Sequence, residues 1–294
     1  MTAAILLSIS IILSVGRNLL SKNLAGLKFG TRPFFLCQST LFLCGAIALL
    51  VYGGFFVGGV SLTTLVLAAV YGVLLILAQW FYTAALGKGN TALCSTVYSL
   101  GFILPTLSGA IFWAEPFTPL DALGILLAAS AVVVSGLKKQ QNRAASEKTS
   151  YFLPLLVAML ASGGLGIVQK IQQKSAFAYQ KSSFLTLAFL LASLMSLCAV
   201  LFARKASGAR NARAFSSKKL GIASCVGLFF ASCNLLNTSL AGMLDSAIFF
   251  PTLNIGVILL STVCGALLLK EKITRRDVAV LIIGSASILL LNIG

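Results

Sequence analysis

Apolar residues run along this chain in long blocks, broken by short polar or turn-forming stretches. Ten blocks stand out: Thr2–Ser21, Pro33–Tyr52, Ser61–Leu86, Thr91–Trp113, Leu120–Leu137, Tyr151–Gln173, Ser183–Ala203, Leu220–Ala241, Ser246–Leu269 and Val278–Ile293. Each is close to the roughly 20 apolar residues that carry a helix across a hydrocarbon core. Backbone polar groups in lipid must be satisfied within the segment, so each block reads as a helix. Only Gly87-Lys88-Gly89-Asn90 separates the third block from the fourth, which predicts a tight helical hairpin. The N-terminus has no basic segment ahead of its apolar block, so that block reads as a retained span rather than a cleaved signal peptide.

The longest polar stretch, Lys138–Ser150, lies almost at the midpoint, and a midpoint linker suggests a repeat. Shifting the first half by 156 positions brings Gly109-Ala110 onto Gly265-Ala266, Glu115 onto Glu271, Thr118 onto Thr274 and Asp121 onto Asp277. The polar matches are not what shared greasiness would produce. Residues 1–137 and 151–294 therefore read as two five-helix units, with 138–150 as a cytoplasmic linker. An odd number of spans per unit inverts the second copy in the membrane. Inverted repeats place their substrate sites between the units near the midplane.

Charge sets the orientation. The loops after the first, third, fifth, seventh and ninth blocks carry 18 Lys and Arg, against three on the other side. Basic loops face the cytoplasm, so both termini are expected outside a plasma or inner membrane. The net charge of +16 reads as this orientation signal and as a contact for anionic lipid head groups. The basic residues are spread over loop ends with few aromatics between them, which argues against nucleic acid as a partner. Composition agrees with a bilayer environment: 59% of residues are hydrophobic and 10% charged, against roughly 45–50% and 25% in soluble domains.

Candidate chemistry is sparse. There is no His, which removes imidazole catalysis and His metal ligation. The seven cysteines form no Cys-x-x-Cys pair and read as small buried hydrophobes. The Gly87–Thr91 string lacks the spacing of a phosphate-binding loop. Nothing implies a cofactor, a metal or an enzyme, and movement of solute would be secondary rather than ATP-driven. None of the six carboxylates lies mid-block, which disfavours carboxylate-borne proton coupling. Glu115 and Glu271 sit at block ends, where interfacial structure or pairing with Lys270, Lys272, Arg275 or Arg276 is expected.

Two sets of polar residues remain. Arg17, Asn18, Ser21 and Lys22 share one side of the first helix, and Gln169, Lys170, Gln173 and Lys174 repeat that spacing in the sixth. Amides on lipid are costly, so these faces should look into protein or a wet cavity; snorkelling of the long cations is the alternative. The second set is Gln79 with Tyr82, matched by Asn234 with Asn237, and joined by Tyr98 and Asn254. These could bind substrate or act as interhelical glue. Pro105 and Pro251, near Gly101 and Gly256, give the fourth and ninth helices places to bend, as hinges or as static kinks.

Ten spans in two halves, with a Glu closing the fourth and ninth, resemble the drug/metabolite transporter superfamily in its EamA-type branch. The third-block ending, Gln79-Trp80-Phe81-Tyr82-Thr83-Ala84-Ala85-Leu86, is also similar to that family's aromatic-then-Ala-Leu ending. Members often carry proline where this chain has Gly101 and Val257, and many place both termini in the cytoplasm. The expectation is thus an all-α membrane protein that carries a small polar metabolite, such as an amino acid or organic anion, by alternating access. With Arg17 and Lys170 on a cavity free of carboxylates, an anionic or zwitterionic substrate is favoured. A lipid-head-group translocator and a non-transporting scaffold are the alternatives.

Overall fold

The computed structural model describes residues 2–21, 24, 27, 29–53, 59–88, 97–136, 152–203, 217–268 and 275–293. Lys22, Glu271 and the linker at 138–150 lie outside these residues, as do Gly89-Asn90 and most of the loop at 204–219. The described chain is all-helical. Its long helices are α1 (Thr2–Ser21), α2 (Arg32–Gly53), α3 (Leu62–Lys88), α4 (Val97–Trp113), α5 (Pro119–Gly136), α6 (Phe152–Lys174), α7 (Lys181–Phe202), α8 (Ser217–Met243), α9 (Ser246–Leu268) and α10 (Arg275–Ile293). Seven of these are long and apolar enough to cross a membrane by length and composition, and α4, α5 and α10 are shorter apolar helices. This is the make-up of a multi-pass helical membrane protein.

Contacts between helix ends fix the relative directions. Ser182 at the start of α7 faces Gly53 at the end of α2, and Gln180 receives the Ser61 N–H just before α3 at 3.1 Å. Ser287 in α10 donates to the Gly124 carbonyl near the start of α5 at 2.8 Å. Glu115, Lys170 and Ser246 also meet, so α4 and α6 end where α9 begins. Helices with odd numbers therefore start at one end of the bundle, and those with even numbers finish there.

Apolar packing gathers into two main cores. The first is built from α2, α3, α7 and α8, with Phe42, Tyr71, Phe184 and Phe189 fully buried. The second is built mainly from α4, α5, α9 and α10, with Phe102, Val132, Phe249 and Leu291, and it takes in Leu240 and Ala241 from the end of α8. Each core draws on both halves of the chain. α1 packs on α8 and α9, and α6 packs on α3 and α4, so these two helices lie between the cores.

Close helix crossings need glycine. A Cβ on Gly227 of α8 would run into the Leu41 carbonyl of α2, and one on Gly101 of α4 would meet the Met159 carbonyl of α6 at 2.6 Å. α4 changes character at this point: residues Leu100–Phe102 form a 3-10 turn before the α-helix resumes at Ile103. Pro105 offers no N–H to the preceding turn, which accounts for the change in winding. α9 runs on as an α-helix through Pro251.

Candidate functional site

α1 and α8 run antiparallel, joined by three contacts on successive turns. Ser10 donates to Asn237 Oδ1 at 2.5 Å, Ser14 to Cys233 Sγ at 3.5 Å, and the Arg17 guanidinium lies 5.0 Å from the centre of the Phe230 ring. Attraction to the negative ring face holds the Arg17 cation there. Its N–H groups donate to Asn18 Oδ1, at 3.1 Å from Nη2. Among the described residues no carboxylate pairs with Arg17.

Next to this seam α8 also meets α3 and α6. Tyr71 donates to Asn234 Oδ1 at 2.5 Å, and Gln169 Nε2 donates to Tyr71 Oη at 2.8 Å. Asn234 Nδ2 in turn donates to the Phe230 carbonyl at 2.7 Å. All three side chains are buried. Phe230 and Asn234, one helical turn apart, connect this triad to the Arg17 end of the seam. The result is a polar row through an apolar bundle, supplied by α1, α3, α6 and α8.

Lys170 does not join that row. Its ammonium, 1% exposed, forms an ion pair with Glu115, whose side chain is 6% exposed. It also donates to the Leu244 carbonyl at 2.9 Å. Glu115 Oε2 accepts the Ser246 N–H at the start of α9, 2.7 Å away. Local geometry aims the carboxylate: Ala114 adopts a left-handed φ of 50°, which folds the chain back over the end of α4. The Glu115 N–H then reaches the Gly109 carbonyl at 3.3 Å, and the space a Gly109 Cβ would fill holds the carboxylate. Burial opposes the charge of Glu115, but the Lys170 and Ser246 hydrogen bonds outweigh it and hold the carboxyl below its usual range.

This arrangement corrects two expectations. Lys170 is not a free cation on a carboxylate-free cavity, because a carboxylate reaches it. Glu115 pairs with Lys170, a partner that its sequence neighbours did not suggest, while Lys270 and Lys272 lie outside the described residues. Sequence spacing hid the pair because its members come from different helix ends that only the tertiary fold brings together.

The other candidates are dispersed. Asn18 and Lys174 are exposed, and Gln173 reaches the Ala178 carbonyl at 3.5 Å. Gln79 is half-buried in α3. Tyr82 packs against Tyr98 of α4 with ring centroids 4.5 Å apart and the rings tilted by 37°, towards the opposite end from Glu115. Asn254 donates to its own helix, to the Phe250 carbonyl at 3.0 Å. Gly101 and Pro105 pack against Gly163 and Gly166 of α6, and Gly256 faces Ile11 of α1. Pro251 is buried. Tyr71, Ser10 and Ser14 lie in the polar row without having been expected there: single hydroxyls in apolar blocks carry no pattern of their own.

No protein-family model and no curated protein matches this sequence. Solved structures do share its fold. One crystal structure superposes with a TM-score of 0.78 at 16% sequence identity, covering 99% of this chain and 96% of the other. At that identity the likeness shows a shared fold alone.

Proposed function

We propose that the chain is a secondary transporter of a small polar metabolite, an amino acid or organic anion, working by alternating access in the manner of the drug/metabolite transporters. The observation that carries this reading is the polar row. Arg17, Tyr71, Gln169 and Asn234 lie between apolar helices, joined to one another or to Phe230, and Asn237 extends the row through Ser10. Arg17 presents guanidinium donors that no carboxylate of the described residues takes up, which suits a substrate carboxylate. With Lys170 neutralised by Glu115, Arg17 is the recognition cation of this proposal.

The packing map supports an inverted repeat of ten crossings. Exchanging α1–α5 for α6–α10 leaves the main contacts in place: α2 with α7, α4 with α9, and α5 with α10 map onto themselves. Likewise α1 on α8 becomes α6 on α3, and α1 on α9 becomes α6 on α4. The basic-loop asymmetry supports a cytoplasmic position for the end opposite Glu115, in a plasma or inner membrane.

The test is a ligand screen by thermal unfolding of the purified protein, with amino acids, organic acids, sugars, nucleosides and organic cations. A ligand at 100 times its dissociation constant adds about 2.7 kcal/mol of stability. A carboxylate-bearing hit that is lost in Arg17→Ala supports the reading. A hit confined to organic cations contradicts the assigned site, and silence across the panel alongside activity on labelled lipid favours a head-group translocator.

A further inference from the structure

The two cores are built mainly from two groups of helices, one of α2, α3, α7 and α8 and one of α4, α5, α9 and α10, with the end of α8 reaching into the second core through Leu240 and Ala241. Lys170 belongs to α6, whose Val168 is part of the first core. Glu115 belongs to the second group: it follows α4 and is held by the Ser246 N–H of α9. Their ion pair therefore ties α6, the helix at the joint that carries Val168 of the first core, to the second group, at the end where α4, α6 and α8 finish. Two further hydrogen bonds at this end stay within the first group: Lys181 donates to Ser239 at 2.9 Å, and the Ser61 N–H donates to Gln180 at 3.1 Å.

We infer that the Glu115–Lys170 pair is a latch that seals this end of the molecule across the joint between the two groups, and that it parts whenever this end opens. The inference deepens the transport reading and takes from it only the need for an opening.

Three features fit a latch better than a permanent weld. A buried pair roughly balances Coulomb attraction against lost hydration, so separating both charges into water needs little net energy. A greasy seam of the same area offers no such compensation. The joint beside the pair is a close glycine crossing: Gly163 and Gly166 of α6 lie against Gly101, Leu104 and Pro105 of α4 and Phe250 of α9, so α6 presents no bulky side chain of its own at these points. Lys170 also holds the Leu244 carbonyl in the turn between α8 and α9, where the chain passes from one group to the other. A single cation thus grips both the second group and the connection to it.

Accessibility reads the latch without any solute. Ser10, fully buried eight residues into α1 from the same end, is the reporter position, as Ser10→Cys in a chain whose native cysteines are replaced. An impermeant thiol reagent is applied from the Glu115 side of proteoliposomes. Glu115→Gln and Lys170→Met are expected to speed labelling about tenfold or more, and the double reversal Glu115→Lys with Lys170→Glu to slow it again. Labelling at the parent rate in both single variants would overturn the latch. Because a single variant can misfold, Glu115→Cys with Lys170→Cys as the only cysteines gives a second readout, bridged by a reducible bifunctional thiol reagent long enough to replace the Lys–Glu span. Closing that bridge should suppress solute exchange, and reductant should restore it. Exchange that continues with the bridge closed overturns the latch while leaving transport intact. Gated labelling in a protein that moves none of the solute panel keeps the latch and removes the transport reading.

Discussion

Glu115 and Lys170 show how much a single residue's meaning depends on its partner. A carboxylate 6% exposed and an ammonium 1% exposed meet as one buried ion pair, each the other's counter-charge. Removing one leaves an unpaired buried charge, so Lys170→Met is expected to lower stability by about 3–5 kcal/mol, read by unfolding in detergent. The pH dependence has a definite sign. The Glu115 carboxyl is held below its usual range, so its stabilisation is complete above that range and disappears as pH falls through the lowered value. Glu115→Gln should flatten the loss of thermal stability on acidification, and an unchanged acid limb would contradict the pairing. The sequence showed that Glu115 closes a helix but not what it touches. For the polar row the position was better: Asn234, Asn237 and Arg17 stood out because amides and guanidinium are rare in apolar blocks. Tyr71 did not, since its neighbours Val70 and Gly72 give a tyrosine the look of ordinary core.

At the scale of elements, the repeated Thr-x-x-Asp has a structural explanation. The Thr118 N–H and hydroxyl both donate to Asp121 Oδ2, at 2.8 and 2.9 Å, and the Asp121 N–H donates to Thr118 Oγ1 at 3.1 Å. This reciprocal cap starts α5 and explains part of the repeat signal without any substrate. Glycines separate contact from mere propensity. Gly227 has no room for a methyl group against the α2 backbone, whereas Gly221 on the same helix meets nothing within 4 Å. Gly227→Ala should cost about 1–3 kcal/mol through overpacking, while Gly221→Ala should gain about 0.5–1 kcal/mol through helix propensity. Equal effects at the two positions, measured side by side, would contradict the α2–α8 crossing. The helices themselves were legible because apolar blocks of membrane length leave few options. The break in α4 was foreshadowed by Pro105, yet the continuous winding of α9 through Pro251 was not, because local winding depends on what packs around the proline.

For the whole molecule, the order of helices along the chain differs from their grouping in space. Consecutive five-helix units suggest two halves that move against each other, but each core takes two helices from either half. A motion that rocked residues 1–137 against 151–294 would tear both cores. One that moves α2, α3, α7 and most of α8 against α4, α5, α9 and α10 would preserve most of both, with α1, α6 and the end of α8, which carries Leu240 and Ala241 of the second core, at the joint. Sequence patterning could not reveal this, because pairing between distant helices leaves no periodic trace. Cysteine pairs bear on it: a cross-link within the first core, such as Phe42→Cys with Phe189→Cys, is expected to leave solute exchange unaltered. Loss of exchange on closing that link would argue for motion inside the core. The central claim, that Arg17 recognises the carboxylate of a solute moved through the bundle, is tested most directly by counterflow in proteoliposomes. Parent protein and Arg17→Ala are compared on carboxylate solutes and on their neutral amides. The account predicts exchange of the carboxylate by the parent, a loss of about tenfold or more in the variant, and little exchange of the amide by either. Equal exchange of carboxylate and amide, unchanged by Arg17→Ala, would contradict it.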